Sequence, residues 1–272
     1  MQIPIEDFYE DVVGKTARGL GHSASSLAEA AGLDREAVRE ALRGNFVEEE
    51  ARKIAPVLNL NADALVLLGQ STWRPKDVNL TGLALFNTTF GDMTVNAYVV
   101  WDPVSKEAAI FDSGADATEM IAFAQKEGLN VQGVWVTHTH GDHIEDIPAI
   151  VRAFDCPVYV GDKEHANFGT AFSAGESYSV GGLSIETRLT WGHAQGGITF
   201  VVTGLDRPVA VVGDALFAQS MGGGMVSFKD ALETSGQEIM TLPDDTVICP
   251  GHGPMTSVGE EKQVNPFFAG RF

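Results

Sequence analysis

The spacing of apolar and polar positions divides the chain into two unlike stretches. Over residues 1–69 apolar side chains recur at helical intervals with almost no strand alternation, which predicts a run of short helices. Ile5 to Arg18 makes the first. Ser23 stands as N-cap before Leu27-Ala28-Glu29-Ala30-Ala31, and Gly32 stops that segment; Asp34 caps Arg35 to Leu42, which Gly44 ends. Val47 to Leu58 and Ala62 to Leu68 complete the set, and residues 70–79, with Trp73 and Pro75, read as a linker.

From residue 80 onward the pattern changes to short apolar runs bounded by turn residues. Leu83 to Phe90, Thr94 to Trp101 and Glu107 to Phe111 predict strands, Asp116 to Gln125 a helix ended by Gly128, and Val131 to Val136 a buried strand. A helix over Ile144 to Phe154 follows, then strands at Val158 to Val160, Ser177 to Val180, Leu183 to Thr190, Ile198 to Thr203, Val209 to Val212 and Thr246 to Cys249, with a helix over Phe228 to Leu242 before the last. Strands alternating with helices predict an α/β domain over residues 80–272, preceded by a small all-α domain over residues 1–69.

Four of these strands run into polar, glycine-bearing loops, where a sheet usually places chemistry. Val131 to Val136 leads to Thr137-His138-Thr139-His140-Gly141-Asp142-His143, Leu183 to Thr190 to Trp191-Gly192-His193, Val209 to Val212 to Gly213-Asp214, and Thr246 to Cys249 to Pro250-Gly251-His252. Five of the seven histidines fall in these loops. Neutral imidazoles beside ionised carboxylates are the donors that zinc, iron or manganese accept, so the loops point to a metal site. His22 and His165 lie outside the set and read as surface residues. Met221, Met225 and Phe228 read as core residues first and pocket lining second.

Composition narrows the functions. The chain carries 18 Lys and Arg against 37 Asp and Glu, a net charge of −19, which repels phosphate backbones and anionic membranes. No apolar run reaches the roughly 18 residues of a spanning helix, and the start of the chain lacks the basic and apolar regions of a secretory signal, so the expectation is a cytoplasmic protein. Cys156 and Cys249 have no paired spacing and read as buried apolar side chains.

The motif His138-x-His140-x-Asp142-His143, with His193 following 50 residues later, Asp214 a further 21 and His252 a further 38, resembles the metallo-β-lactamase superfamily. Asn96-Ala97-Tyr98-Val99-Val100, Phe111-Asp112-Ser113-Gly114, Gly213-Asp214-Ala215-Leu216-Phe217 and Asn265-Pro266-Phe267-Phe268 bring it nearest to the glyoxalase II group of thioester hydrolases. The resemblance covers about residue 80 to the C-terminus. It implies a four-layer αβ/βα sandwich and two divalent metal ions, zinc first, with iron or manganese as alternatives. His138, His140 and His193 would hold one metal, and Asp142, His143 and His252 the other, with Asp214 bridging. A hydroxide generated between the metals would attack the carbonyl of a small-molecule thioester or ester, with Asp142 orienting the nucleophile. Asp112 and Thr137 are candidates to hold the ligand rings, and Asp112 reads equally well as a turn residue.

Some positions depart from that pattern. Trp191-Gly192-His193-Ala194-Gln195-Gly196 replaces the family's Pro-Gly-His-Thr-Pro-Gly, and no base follows the turn Gly222-Gly223-Gly224 before Lys229, where the group commonly carries one for an anionic substrate. Other chemistries of the fold stay open: a lactonase, or an iron-dependent persulfide dioxygenase using His138, His193 and Asp214.

Residues 1–69 resemble the phage-repressor helix-turn-helix domain, on Ser-x-x-x-Leu27-Ala28-x-x-Ala31-Gly32-Leu33 and the helix beginning after Asp34. This leaves a non-enzymatic alternative, a DNA-binding regulator with a ligand-sensing metallo-β-lactamase-like half. Seven basic residues against twelve acidic ones in this stretch argue against nucleic acid as the partner. Packing on the larger domain, self-association or covering the active-site mouth are the other roles for it.

Overall fold

The computed structural model describes residues 3–272. Five helices open the chain: α1 (Tyr9–Gly19), α2 (Ala24–Ala31), α3 (Arg35–Ala41), α4 (Glu48–Val57) and α5 (Ala62–Gln70). The Ser23 side chain accepts from the Ser26 amide, and Gly32 takes the left-handed conformation that closes α2. Asp34 occupies the cap position of α3 without a side-chain cap bond. α1 starts four residues later than the apolar period suggests, because Ile5 to Asp7 contact the second half of the chain: Ile5 joins its apolar cluster, Glu6 backs onto Gly253 and Asp7 accepts the Ser220 hydroxyl.

Two six-stranded sheets follow. The first contains β1 (Leu83–Phe90), β2 (Met93–Trp101), β3 (Glu107–Phe111), β4 (Asn130–Val136), β5 (Val158–Gly161) and β6 (Thr170–Phe172), in that order. β1 to β3 pair antiparallel, and β3 to β6 run parallel. The connections carry α6 (Thr118–Lys126), the short α7 (Gly141–Ile144) and α8 (Ile147–Phe154). The second sheet has the order β12-β11-β10-β9-β8-β7, from β7 (Ser177–Val180), β8 (Leu183–Leu189), β9 (Ile198–Thr203), β10 (Val209–Gly213), β11 (Val247–Pro250) and β12 (Thr256–Ser257). α9 (Phe228–Glu238) and α10 (Val258–Val264) belong to this half.

The helix expected over Ile144 to Phe154 is broken in two. Asp146 turns away from a helical role: its carboxylate accepts from the Ala117 amide and its own amide donates to Ser113. β6, β12 and α10 were not expected; the two strands are three and two residues long, too short to show a period.

Alternation along the strands sorts side chains into three apolar clusters. Tyr98, Val100, Phe111 and Trp135 face Ile185, Phe200, Val202 and Cys249 between the sheets. Val99, Ile110 and Val134 turn outward beneath Met120 of α6 and Ile150 of α8. The outer face of the second sheet, Val201, Ala210, Val212 and Ile248, forms one continuous cluster with Leu27, Val38, Ile54 and Leu65 of the N-terminal helices. Helices, sheet, sheet and helices thus make four layers, and the N-terminal helices bury their apolar faces against the sandwich rather than only against one another. Asn61 strengthens that contact by donating its backbone amide to the Pro266 carbonyl at 2.7 Å. On α3, Arg39 and Arg43 are paired with Glu36 and Glu40. No helix among the described residues is long and apolar enough to cross a membrane.

Candidate metal centre

The site forms where the two sheets meet at one edge. β3 and β4 lie side by side and end in Asp112 and Thr137. Asp112 sits at φ 59°, a left-handed geometry that aspartate tolerates better than most residues. This turn directs its carboxylate inward, where Oδ1 accepts the Thr137 backbone N–H and Oδ2 the Thr137 hydroxyl, both at 2.8 Å. The loop beyond Thr137 is thereby fixed before any ligand residue is reached.

Seven side chains from four loops converge there, in two groups: His138, His140, His193 and Asp214, and Asp142, His143 and His252. In the first, His140 Nδ1 stands 3.0 Å from His138 Nε2 and 3.1 Å from His193 Nε2, and Asp214 Oδ2 lies 3.3 Å from His193 Nε2. In the second, Asp142 Oδ2 is 3.3 Å from His252 Nε2 and 3.6 Å from His143 Nε2. Asp214 faces both groups, with Oδ1 3.4 Å from His143 Nε2 and Oδ2 3.4 Å from His252 Nε2.

These distances fit cations better than a hydrogen-bond network. Donors about 2.1 Å from one tetrahedral ion lie about 3.4 Å from each other, which the imidazole–carboxylate separations of 3.3 to 3.6 Å match. His143 Nε2 and Asp214 Oδ1 are buried and have no hydrogen-bond partner, a costly arrangement that a cation between them removes. The backbone makes room for nothing else: a Cβ on Gly251 would lie 2.1 Å from Asp214 Oδ1 and 2.6 Å from His143 Cε1.

The far side of each ring sets its tautomer. His193 Nδ1 donates to the Gly223 carbonyl at 2.9 Å and His252 Nδ1 to the Thr94 carbonyl at 2.6 Å, leaving Nε2 of each as a lone pair facing inward. His143 Nδ1 meets Asp112 Oδ2 at 2.8 Å. His138 Nδ1 meets the Thr137 hydroxyl at 3.1 Å; since that hydroxyl gives its proton to Asp112, it accepts from the ring. Asp112 therefore anchors one ring of each group, directly or through Thr137.

Charge follows burial and neighbours. Burial drives the proton off His138 and lowers its pKa well below the usual imidazole value, and lowers His193 for the same first reason. Burial opposes protonation of His143 too, but Asp214 and Asp112 override it and hold the ring up at about 10. At His252 the bonds to Asp142 and Asp214 likewise overcome burial and raise it to about 11. Asp142 and Asp214 are held below the carboxylate range against their burial by the surrounding imidazoles.

Several positioning groups carried no recognisable local signal. Glu164 accepts from the Thr139 amide at 2.9 Å and from the Gly196 amide at 2.6 Å, tying the His138–His143 loop to the His193 loop. Asn96 donates to the carbonyls of Pro250 and Gly253, and Tyr98 to that of Pro250, which pins the loop bearing His252. Asn96 and Tyr98 fall in the stretch that supports the resemblance, so that pattern holds the only hint of them. Met221 and Phe228 lie in the core, whereas Met225 is 75% exposed. His165 is exposed, His22 half-buried, and both cysteines are free and buried.

This half of the chain is similar to known proteins. The model of the metallo-beta-lactamase superfamily matches residues 90–252. A "Probable metallo-hydrolase" of Streptococcus pyogenes serotype M6 is 31% identical over 194 residues, covering 61% of this chain and 83% of the relative. Among solved structures, the BLEG-1 B3 metallo-beta-lactamase is 29% identical with a TM-score of 0.59, covering 69% of this chain and all of that one. The protein TTHA1623, solved in a di-iron-bound form, is 25% identical with a TM-score of 0.54, covering 67% of this chain and 99% of that one. The matched superfamily segment begins after the five N-terminal helices and contains all seven converging donors, and the chain belongs to the metallo-beta-lactamase superfamily.

Proposed function

We propose that the protein is a dinuclear metal-dependent hydrolase of thioesters or related acyl esters. The observation that carries this reading is Asp214, one buried carboxylate facing both donor groups, each of which supplies at least three nitrogen or oxygen atoms. A pair of divalent ions bound there would activate water at neutral pH and stabilise negative charge on a carbonyl oxygen.

The protein's own part is positioning. Rings locked through Nδ1 keep their Nε2 lone pairs inward, and Asp112 keeps the His138 and His143 rings in register. Asp142, held ionised by His252 and His143, orients the attacking water and accepts its proton. The water oxygen forms its bond to the acyl carbon, the bond from that carbon to sulfur breaks with its electron pair leaving on sulfur, and the products are a carboxylic acid and a thiol. A thiol, with a pKa of about 8.5, leaves readily as a thiolate and needs no strong acid, which favours thioesters over amides.

Metal content of the purified protein, measured beside a panel of thioesters, oxygen esters and lactones, tests the reading. Two divalent ions per chain, lost in a variant combining His140→Ala with Asp214→Ala, together with thioester turnover, is the expected result. Wild type that carries no more metal than this variant would sink it. One iron per chain with oxygen consumption on a persulfide would replace it with the dioxygenase reading.

A further inference from the structure

We propose, building on the hydrolase reading, that α1 supplies an anion-binding corner beside the metal centre, and that Arg18 there holds a negatively charged end of the substrate. A cavity of about 220 Å³ lies between Lys15, Arg18 and Gly19 of α1 and the turn Gly223-Gly224-Met225 that follows Asp214. The turn belongs to the centre: its Gly223 carbonyl accepts the Nδ1 proton of His193 at 2.9 Å.

α1 is locked against this turn. Lys15 donates to Asp7 at 2.5 Å and to the Met221 carbonyl at 2.8 Å, with both charged side chains about 11% exposed. Its ammonium also lies 5.8 Å from the centre of the Phe217 ring, which packs edge-on against the His252 ring. Gly19 approaches Phe228 so closely that a Cβ would lie 2.2 Å from the ring. A larger residue at that position would push the helix end away from the turn.

Within the corner the charges are unequal. Asp7 answers Lys15, whereas Arg18 is exposed and has no carboxylate partner among the described residues. The residues lining the cavity include two cations and no carboxylate. Among the described residues, the backbone N–H groups of Gly223 and Gly224 also have no intramolecular acceptor. A guanidinium and free amides lining one cavity suit a carboxylate or a phosphate. In a chain of net charge −19 such a local attraction decides whether an anionic substrate settles at this edge. The residues after the glycine turn offer no base before Lys229, so α1 brings one from 200 positions earlier in sequence.

Steady-state kinetics of the full-length, metal-loaded protein on three acetyl thioesters tests this: that of N-acetylcysteamine, which is neutral, of mercaptoacetate, which carries a carboxylate, and of coenzyme A, which carries phosphates. Arg18→Glu is expected to raise KM about tenfold for a charged thioester and to leave kcat and the neutral thioester unchanged, with Arg18→Lys restoring most of the loss. The charged substrate that responds identifies the anion. Equal effects on all three thioesters, or none, overturn the proposal. If wild type turns over none of them, the hydrolase reading fails, and calorimetric titration with the three free thiols judges the corner separately. A preference of wild type for a charged thiol that disappears in Arg18→Glu upholds it; the same affinities in both proteins overturn it.

Discussion

The two donor groups use the same residue types and differ in how they are housed. In the first, His140 and His193 are half-buried and lie at the mouth; in the second, Asp142, His143 and His252 are all buried. Burial strips protons from His138 and His193, so these two rings are presented neutral, with Asp214 as the group's carboxylate. Carboxylates dominate the second, where His143 and His252 hold protons more tightly than free imidazole until a cation takes their place. The comparison teaches that one geometric motif yields an accessible, nearly neutral position and a secluded, carboxylate-rich one. Two of the first group's donors are half-buried, and all of the second's are buried.

The largest expected effect comes from removing what the groups share. Asp214→Ala should empty both and cut turnover on the order of a thousandfold, read by metal content and initial rates. Retention of two ions per chain by this variant would break the picture of a shared carboxylate. Next, Asp112→Asn should weaken the second group selectively, by about 10- to 100-fold in metal affinity by competitive chelation, because its bond to His143 is direct and its link to His138 passes through Thr137. Equal weakening of both ions would show that the two groups do not differ in support.

Glu261 offers a reference point outside both groups. It is fully buried, accepts from the Gln219 amide, Asn265 and Thr256, and burial raises its pKa to about 7 from 4.5. Since the unfolded chain loses this proton at lower pH than the fold does, ionisation favours unfolding. The stability contributed by the protonated form is present below about pH 4.5 and is lost as pH rises towards 7. Glu261→Gln should gain on wild type by about 2 kcal/mol between roughly pH 5 and 8, in urea unfolding of metal-free protein, without a change in metal affinity. An unchanged difference across that range would place the proton elsewhere. The smallest effect is expected at Glu164→Gln, which weakens one bridge between the His138–His143 and His193 loops. About 1 kcal/mol of stability and a few-fold loss of affinity confined to the first ion should result. A loss confined to the second ion would invert the comparison.

Much of the centre could be read before any fold was known. Each ligand loop follows an apolar run that predicts a strand, and the donors the structure brings together are the ones that spacing singled out. The supports were less legible. Asp112 reads equally as a ring support and as a turn residue until its backbone geometry turns it towards His143, and Glu164 lies in a polar stretch with no period. Thr94 and Gly223 act through carbonyls, which no side-chain pattern encodes.

The N-terminal helices show the same division. Their existence and the caps of α2 follow from local chemistry, in Ser23 and Gly32, since capping involves residues within one turn. That Lys15 and Arg18 of α1 stand beside Gly223 depends on contacts across about 200 residues, made by the outer face of the second sheet and by the Asp7–Lys15 pair. The chain by itself determined most of its elements, its candidate donors and its charge, because period, spacing and composition are local properties. Tertiary structure alone decided which donors share Asp214, which ring rests on which support, and that α1 packs beside the Gly223 turn, because long-range packing sets those distances.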